Sequence, residues 1–384
     1  MKKYINFIYT DLNIELLTQG LILTLVISLI MFTFVKTFLV KNLKSEIKKK
    51  LYKSKIPNNL LKKFKNINSE YEIKMIESFS KNHFTVERGY EEKYLKSNHG
   101  KKALQDSIFT RFKDTRKKII PWLDSVKSLS NLNIIEVGCG SGTGTVAFAE
   151  QVKSVVALDI DKNILNVCQD RCKLMNLDNI KFYNMEISDY VQIQELEKNN
   201  ETIDAIIFYA TLEHMTLEQR ISAIKTAWRV LPIGGLIIIL DTPNSLFFYD
   251  GHTSGLPFHH WITDELAYKY VKLNPKSIFH SKKFLNSSYN EKINEFISWG
   301  RSVSYHDLEV STEKPLKSLK FLESLTSYEN KKYYYENMII SLSKKVRLQS
   351  KSITDRYIKL MSEYKPEIDS SFFRPYLNII LEKT

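Results

Sequence analysis

The stretch Ile134-Ile135-Glu136-Val137-Gly138-Cys139-Gly140-Ser141-Gly142-Thr143-Gly144 constrains this chain most. A short apolar strand, 133–137, runs into a turn with glycine at every second position, and a helix is expected over 144–152. Glycine takes positive φ without steric cost and lets a ligand approach the backbone. The helix N-terminus beyond the turn offers unpaired N–H groups and the positive end of the helix dipole. Strand, glycine turn and helix in this order point to a nucleotide-type site in an α/β sheet.

The spacing narrows the ligand. The dinucleotide fingerprint is G-x-G-x-x-G directly after a strand. Counted from Gly138, this chain has G-x-G-x-G, with the third glycine one residue early. Glu136 stands two positions before the first glycine, where it would repel a pyrophosphate and attract a cationic group. The pattern E-x-G-x-G-x-G resembles the first motif of the class I S-adenosylmethionine-dependent methyltransferases, whose cofactor carries a cationic amino end.

The chain that follows alternates apolar runs with amphipathic ones. Strands are expected at 133–137, 154–159, 180–184, 203–208 and 234–240, and helices at 144–152, 161–175, 189–198 and 216–231. That order predicts a doubly wound, mostly parallel α/β sheet with right-handed crossovers and ligands at the carboxyl ends of its strands. The second strand ends in Asp159, an acid suited to ribose hydroxyls. Asp161 fits better as the N-cap of the next helix. Met185-Glu186-Ile187 follows the third strand, where the family usually places an acid near the adenine amino group, more often Asp than Glu. The resemblance therefore implies Glu136, Gly138, Cys139, Gly140, Gly142, Asp159, Ile160, Glu186, Ile187 and Tyr209 as cofactor-binding residues, and S-adenosylmethionine as the cofactor. It covers about residues 85–250. Leu212-Glu213-His214 after the fourth strand and Thr242-Pro243-Asn244 after the fifth look like the type-11 and ubiquinone-biosynthesis-type branch. Those enzymes mostly methylate small molecules or lipids, often on oxygen. The N-P-P-Y signature of amide and base methylation is absent; the chain has Tyr209-Ala210-Thr211-Leu212 there.

The acceptor side is read from histidines, of which the chain has only 8. His214 sits at the expected mouth of the site, as a general base or as a structural group satisfied by Glu213 or a loop carbonyl. The segment 250–261 holds Asp250, His252, His259 and His260, and reads as an acceptor pocket, a base, a divalent metal site or a structural loop. No metal ligand set is assigned from sequence. Trp299 to Asp307 alternates like a late strand of the sheet and carries His306. His214, His306 and His252 are the catalytic candidates.

Leu16 to Val35 carry no charge, long enough to span the ~30 Å hydrocarbon core of a bilayer. A transmembrane helix is expected over about 16–40 within an anchor of residues 1–40. Lysines at 36, 41, 44, 48, 49, 50, 53 and 55 follow it. By the positive-inside rule they place the rest of the chain in the cytoplasm, as a single-pass inner-membrane protein, and they suit anionic headgroups. The net charge of +13 comes mainly from lysine. With little arginine and no nucleic-acid motif, no nucleic-acid partner is expected. Three cysteines, 139, 168 and 172, argue against a disulfide framework. A basic helical linker is expected over 41–84, the methyltransferase domain over 85–310 and a helical C-terminal extension over 311–384. The expected protein is a membrane-anchored methyltransferase acting on a small-molecule, lipid or lipid-linked glycan acceptor. A cofactor-binding scaffold without turnover and a protein methyltransferase are the rival readings.

Overall fold

The computed structural model describes residues 71–84, 106–188, 193, 202–270, 288–329 and 353–384. They belong to one compact unit, Tyr71–Thr384. The anchor expected at 1–40 lies outside them, as do most of the linker, 41–70, and the helix expected at 189–198, apart from Ile193. Among the described residues no helix is long and apolar enough to cross a membrane.

The chain enters the domain through helical turns at Asp106–Thr110, Arg111–Asp114 and Thr115–Ile119, then α1 (Ile120–Val126). Alternation follows: β1 (Asn133–Val137), α2 (Thr143–Ala149), β2 (Ser154–Asp159), α3 (Lys162–Leu174), β3 (Ile180–Asn184), β4 (Ala205–Tyr209), α4 (Leu217–Val230) and β5 (Leu236–Pro243). Beyond it come α5 (Asp264–Tyr270), α6 (Tyr289–Ser298), α7 (Tyr305–Thr312), β6 (Lys320–Phe321), α8 (Ile353–Tyr364) and β7 (Tyr376–Glu382). The sheet order is β3-β2-β1-β4-β5-β7-β6. The first five strands pair parallel; β7 runs antiparallel to β5, and β6 antiparallel to β7. The order reverses between β1 and β4, so the carboxyl ends of those strands open the switch-point crevice.

The strands form where expected because β1, β2, β4 and β5 are near-continuous apolar runs, the pattern of strands covered on both faces. β4 is buried along its whole length. Ile135, Ile206, Phe208, Ile237 and Ile239 join helix α4 in one core. Asp161 caps α3 by accepting from Asn163 N and Ile164 N, the role expected for it.

Two expectations need correction. The segment 299–307 does not join the sheet as a strand. Only Val303 pairs, with Asn244, and Tyr305 already begins α7. Ser304 and Asp307 form a capping box, and Asp307 holds Arg220 of α4 at 2.7 Å, so the helix start wins over the alternation. The tail is also not simply helical. Within 353–384 only α8 is a long helix, and Leu377, Ile379 and Leu381 insert into the core through β7. Asn244, fully buried, fastens this strand: its Nδ2 donates to the carbonyls of Phe372 and Arg374, each at 2.7 Å.

Candidate active site

The glycine turn is shaped by what presses on it. Gly138, Gly140 and Gly142 all have positive φ, 67°, 54° and 79°. A Cβ at Gly138 would collide with Thr211, and one at Gly142 would lie 2.6 Å from Cys168 Sγ. At Gly140 nothing lies within 4 Å, so its open side faces the crevice. Asp159 holds the turn from β2: Oδ2 accepts from Gly140 N at 2.8 Å and Oδ1 from Asp161 N at 2.9 Å. Burial pushes its carboxyl up from the ordinary range. Arg171, fully buried on α3, donates to Ser141 O at 2.6 Å, to Tyr71 Oη at 2.9 Å and to the carbonyls of Ser107 and Ile108. It ties the turn to the helical segments that precede β1. Sequence reasoning missed this residue, whose position on α3 looks like any solvated helix face.

Glu136 ends β1 beneath the turn. It is 2 % exposed, and its Oε2 has no hydrogen-bond partner. Burial pushes its carboxyl up to about 8, opposed by the Thr145 hydroxyl. Gly144 lies against it; a Cβ there would sit 2.5 Å from Glu136 Oε1. Tyr209 ends β4 beside it, buried, with its hydroxyl accepting from Thr115 Oγ1 at 3.2 Å and the Arg111 guanidinium 5.0 Å over its ring. Burial pushes the Tyr209 phenol up to about 12.

The turn after β4 carries Glu213 and His214. Glu213 is fully buried, and neither carboxylate oxygen has a partner. Burial pushes its carboxyl up to about 8. His214 Nδ1 donates to Ser298 O at 2.8 Å, and its Nε2 lies 3.9 Å from Glu213 Oε1. The loop after β5 brings His252 to it, with ring centroids 5.7 Å apart. One ligand-capable atom each from Glu213, His214 and His252 lies within 4.8 Å of the others. Asp250, His259 and His260 form a second such group. There, Asp250 accepts backbone N–H from His252, Thr253 and Ser254. Its oxygens also lie 3.3 Å from His259 Nδ1 and 3.4 Å from His260 Nε2. Burial alone would raise the Asp250 carboxyl, but His259, His260, Thr253 and Ser254 together hold it well below the usual range. Burial pushes the His260 imidazole down to about 4, so it is neutral at pH 7.

Residues 134–235 match a family described as a methyltransferase domain. A probable S-adenosylmethionine-dependent methyltransferase of Mycolicibacterium smegmatis is 28% identical over 128 residues, 33% of this chain and 44% of that protein. A tRNA/tmRNA (uracil-C(5))-methyltransferase of Aliarcobacter butzleri is 24% identical over 162 residues, 41% of this chain and 43% of that one. The chain thus spans less than half the length of these curated relatives. The solved magnesium protoporphyrin IX methyltransferase of Synechocystis PCC 6803 aligns over 45% of this chain and 74% of that one, at 18% identity and a TM-score of 0.32.

The chain carries a class I S-adenosylmethionine-dependent methyltransferase domain. Its cofactor is S-adenosylmethionine, and the residues at the crevice fit it. Glu136 Oε2 is a buried acceptor without a donor, suited to an ammonium, and the space beside Gly140 is open. Asp159 keeps a second lone pair on each oxygen for a hydroxyl. Ile160, 72 % exposed at the end of β2, offers an apolar face beside it, and Glu186 follows β3 half-buried. Ile187 is different. It is 1 % exposed and packs in the central core. Cys139 is buried within the turn, and its N–H donates to Leu158 O at 3.0 Å. Of the catalytic candidates, the methyltransferase domain brings His214 and His252 together. His306 does not join them: it is exposed on the first turn of α7, stacked on Tyr305 at 4.0 Å, with Nδ1 3.1 Å from Ser304 Oγ. In sequence Glu213 shows only as a neighbour of His214; its complete burial depends on tertiary packing that sequence does not display.

Proposed function

We propose that this chain is a membrane-anchored, cytoplasm-facing enzyme that methylates a hydroxyl oxygen of a small-molecule or lipid-linked acceptor. The observation that carries this reading is the His214–His252 pair, 5.7 Å between ring centroids, on the turns that follow β4 and β5. Thr211 links that turn to the donor side, donating its hydroxyl to Val137 O at 3.0 Å and packing on Gly138. When bound, S-adenosylmethionine supplies a methyl group on a positively charged sulfur. Glu136 and the glycine turn bind and orient that donor. His214 serves the acceptor. Its Nδ1 proton is committed to the Ser298 carbonyl, so Nε2 carries the lone pair that takes the acceptor's proton. The new O–C bond forms as the S–C bond breaks, and the electron pair of the broken bond stays on sulfur. The uncharged run Leu16–Val35 and its lysine flank support the anchor and an acceptor held at the inner leaflet.

The test is a turnover assay on the purified full-length chain, with S-adenosylhomocysteine as the product followed and membrane lipid extract or total RNA as separate acceptors. Product with the lipid extract supports the proposal. Product with RNA alone refutes the acceptor assignment. Cofactor binding by calorimetry without product on either acceptor favours the scaffold reading.

A further inference from the structure

We propose that Glu213, His214 and His252 form a binding site for one divalent first-row transition-metal ion on the acceptor side of the domain. Both carboxylate oxygens of Glu213 are buried and without a hydrogen-bond partner. A buried carboxylate in that state is costly unless a cation or a donor meets it. His214 Nε2 lies 3.9 Å from Glu213 Oε1, too long for a hydrogen bond.

Hydrogen bonding leaves Nε2 as the lone-pair atom of both histidines. Ser298 O can only accept, so His214 Nδ1 bears the proton and Nε2 the lone pair. His252 Nδ1 lies 3.1 Å from Thr253 Oγ1, whose own proton goes to Gly300 O at 2.5 Å. His252 Nδ1 therefore donates, and Nε2 is again the lone-pair atom. A ring nitrogen fixed by a carbonyl or hydroxyl, leaving the other nitrogen as the donor atom, is how metal-binding histidines are oriented. Gly300 belongs to this arrangement. Its φ is 119°, and a Cβ there would lie 2.6 Å from His252 Nδ1.

The separations suit an ion. Bonds of about 2.0–2.2 Å in a tetrahedral site put ligand atoms roughly 3.4 Å apart. Here one pair stands at 3.9 Å and all three atoms lie within 4.8 Å, so side-chain shifts of about an ångström close the site. Two imidazoles and one carboxylate suit manganese, iron, cobalt, nickel or zinc, and disfavour magnesium and calcium, which take oxygen ligands. Three protein ligands leave positions open for a substrate oxygen. The neighbouring Asp250–His259–His260 group is the poorer candidate because three backbone N–H groups already occupy the Asp250 oxygens.

The role of the ion rests on the methyl-transfer reading above. An acceptor hydroxyl bound to it loses its proton to solvent at neutral pH, since a divalent ion lowers the pKa of a bound O–H. The oxygen anion then attacks the methyl carbon as the S–C bond breaks and its electron pair remains on sulfur. His214 is then a ligand, and the ion takes over its task as base.

The test uses the full-length chain, stripped with chelator, reloaded with Mn²⁺, Co²⁺ or Zn²⁺, desalted and measured by plasma mass spectrometry. About one ion per chain is expected for the wild type. Glu213→Gln and His252→Asn are each expected to retain less than about a tenth of that, since even the loss of a residue that only orients a ligand costs about ten- to a hundredfold in metal affinity. Cobalt loading should also give a visible absorption band that both variants lack. His252 is only half-buried, so its variant keeps the test alive if the Glu213 variant does not fold. A wild-type chain that binds S-adenosylmethionine in calorimetry but retains none of the three ions overturns the metal site and leaves the methyltransferase reading standing. Retention of the ion by both variants also overturns it. A chain that retains the ion but binds no S-adenosylmethionine refutes the methyl-transfer reading instead.

Discussion

Replacing Glu136 with glutamine tests the donor side, because it should change stability and cofactor affinity in opposite directions. In the folded, ligand-free domain burial pushes this carboxyl to about 8, from an ordinary value of 4.5. Between those values the native chain holds a proton that the unfolded chain has released. Stability therefore falls as pH rises from about 4.5 to about 8, and levels off above that. At pH 7 the gap from 4.5 amounts to about 3 kcal/mol, at about 1.4 kcal/mol per pKa unit. That figure is a ceiling, since the glutamine amide also needs partners. Glu136→Gln should thus raise the melting temperature of the ligand-free protein at pH 7, with the gain growing toward pH 8 and vanishing near pH 5. Binding runs the other way. Pairing Oε2 with the ligand's ammonium requires the ionised form, which costs about 1.4 kcal/mol at pH 7. A charged hydrogen bond returns about 1.5–3 kcal/mol, so pairing wins and about one proton is released on binding. Calorimetry in two buffers of different ionisation enthalpy should show that proton for the wild type and none for Glu136→Gln, with roughly tenfold weaker affinity in the variant. Equal affinity and equal proton release in both proteins would refute Glu136 as the ammonium partner.

Other substitutions separate the ligand contacts from the frame. Gly140→Ala should fold, at about 1 kcal/mol for a non-glycine residue with positive φ, and should weaken S-adenosylmethionine binding because its Cβ enters open space at the turn. Gly142→Ala should instead lower the melting temperature by several degrees, since its Cβ meets Cys168 Sγ at 2.6 Å; an equal effect of the two on melting would contradict this. Asp307→Ala leaves Arg220 buried without its partner and should cost about 3–5 kcal/mol in urea unfolding. Asn244→Ala should loosen β7 while sparing β1 to β4, read as faster hydrogen exchange confined to residues 376–382 and 236–243.

The donor half was legible in sequence because its chemistry is local. Four residues of spacing decide the glycine turn, and each parallel strand announces itself as an apolar run. β7 has a comparable signal, since Leu377-Asn378-Ile379-Ile380-Leu381 is also apolar. It reads as part of a helical tail because it pairs with β5, about 140 residues earlier, and nothing nearby marks the partner. The strand expected at 299–307 failed for the opposite reason. A local signal is present there, the Ser304–Asp307 capping box, but it spans only four residues and overlaps the alternating run, so the alternation hides it. On the acceptor side, sequence singled out His214 and His252 but could not show that they meet. That meeting needs the turns after β4 and β5 at neighbouring strand ends, with Gly300 passing close enough to admit the His252 ring.

Glu136 and Glu213 invite a common account. Each is buried, each has an oxygen with no partner, and burial raises both carboxyls to about 8. They lie at the ends of adjacent strands, β1 and β4, and the Arg111 charge lowers both. Arg111 is exposed and therefore well screened, so it cannot neutralise two buried carboxylates. A fold selected only for stability would replace these two acids with apolar residues of similar size. Their presence makes sense if each meets a positive charge from outside the chain. On the Glu136 side that charge is the ammonium of the methyl donor. On the Glu213 side it is the proposed metal ion, with His214 and His252 completing its shell. The two sites share Thr211, which packs on Gly138 and leads directly into the Glu213 turn. Filling one should therefore stiffen the turn that frames the other, so that S-adenosylmethionine binds more tightly to the metal-loaded protein than to the stripped one. The reciprocal gain in metal affinity must be of the same size. Titrating the ion with and without S-adenosylmethionine checks that equality. Metal affinity unchanged by S-adenosylmethionine, and S-adenosylmethionine affinity unchanged by the ion, would mean that Thr211 does not join the two sites.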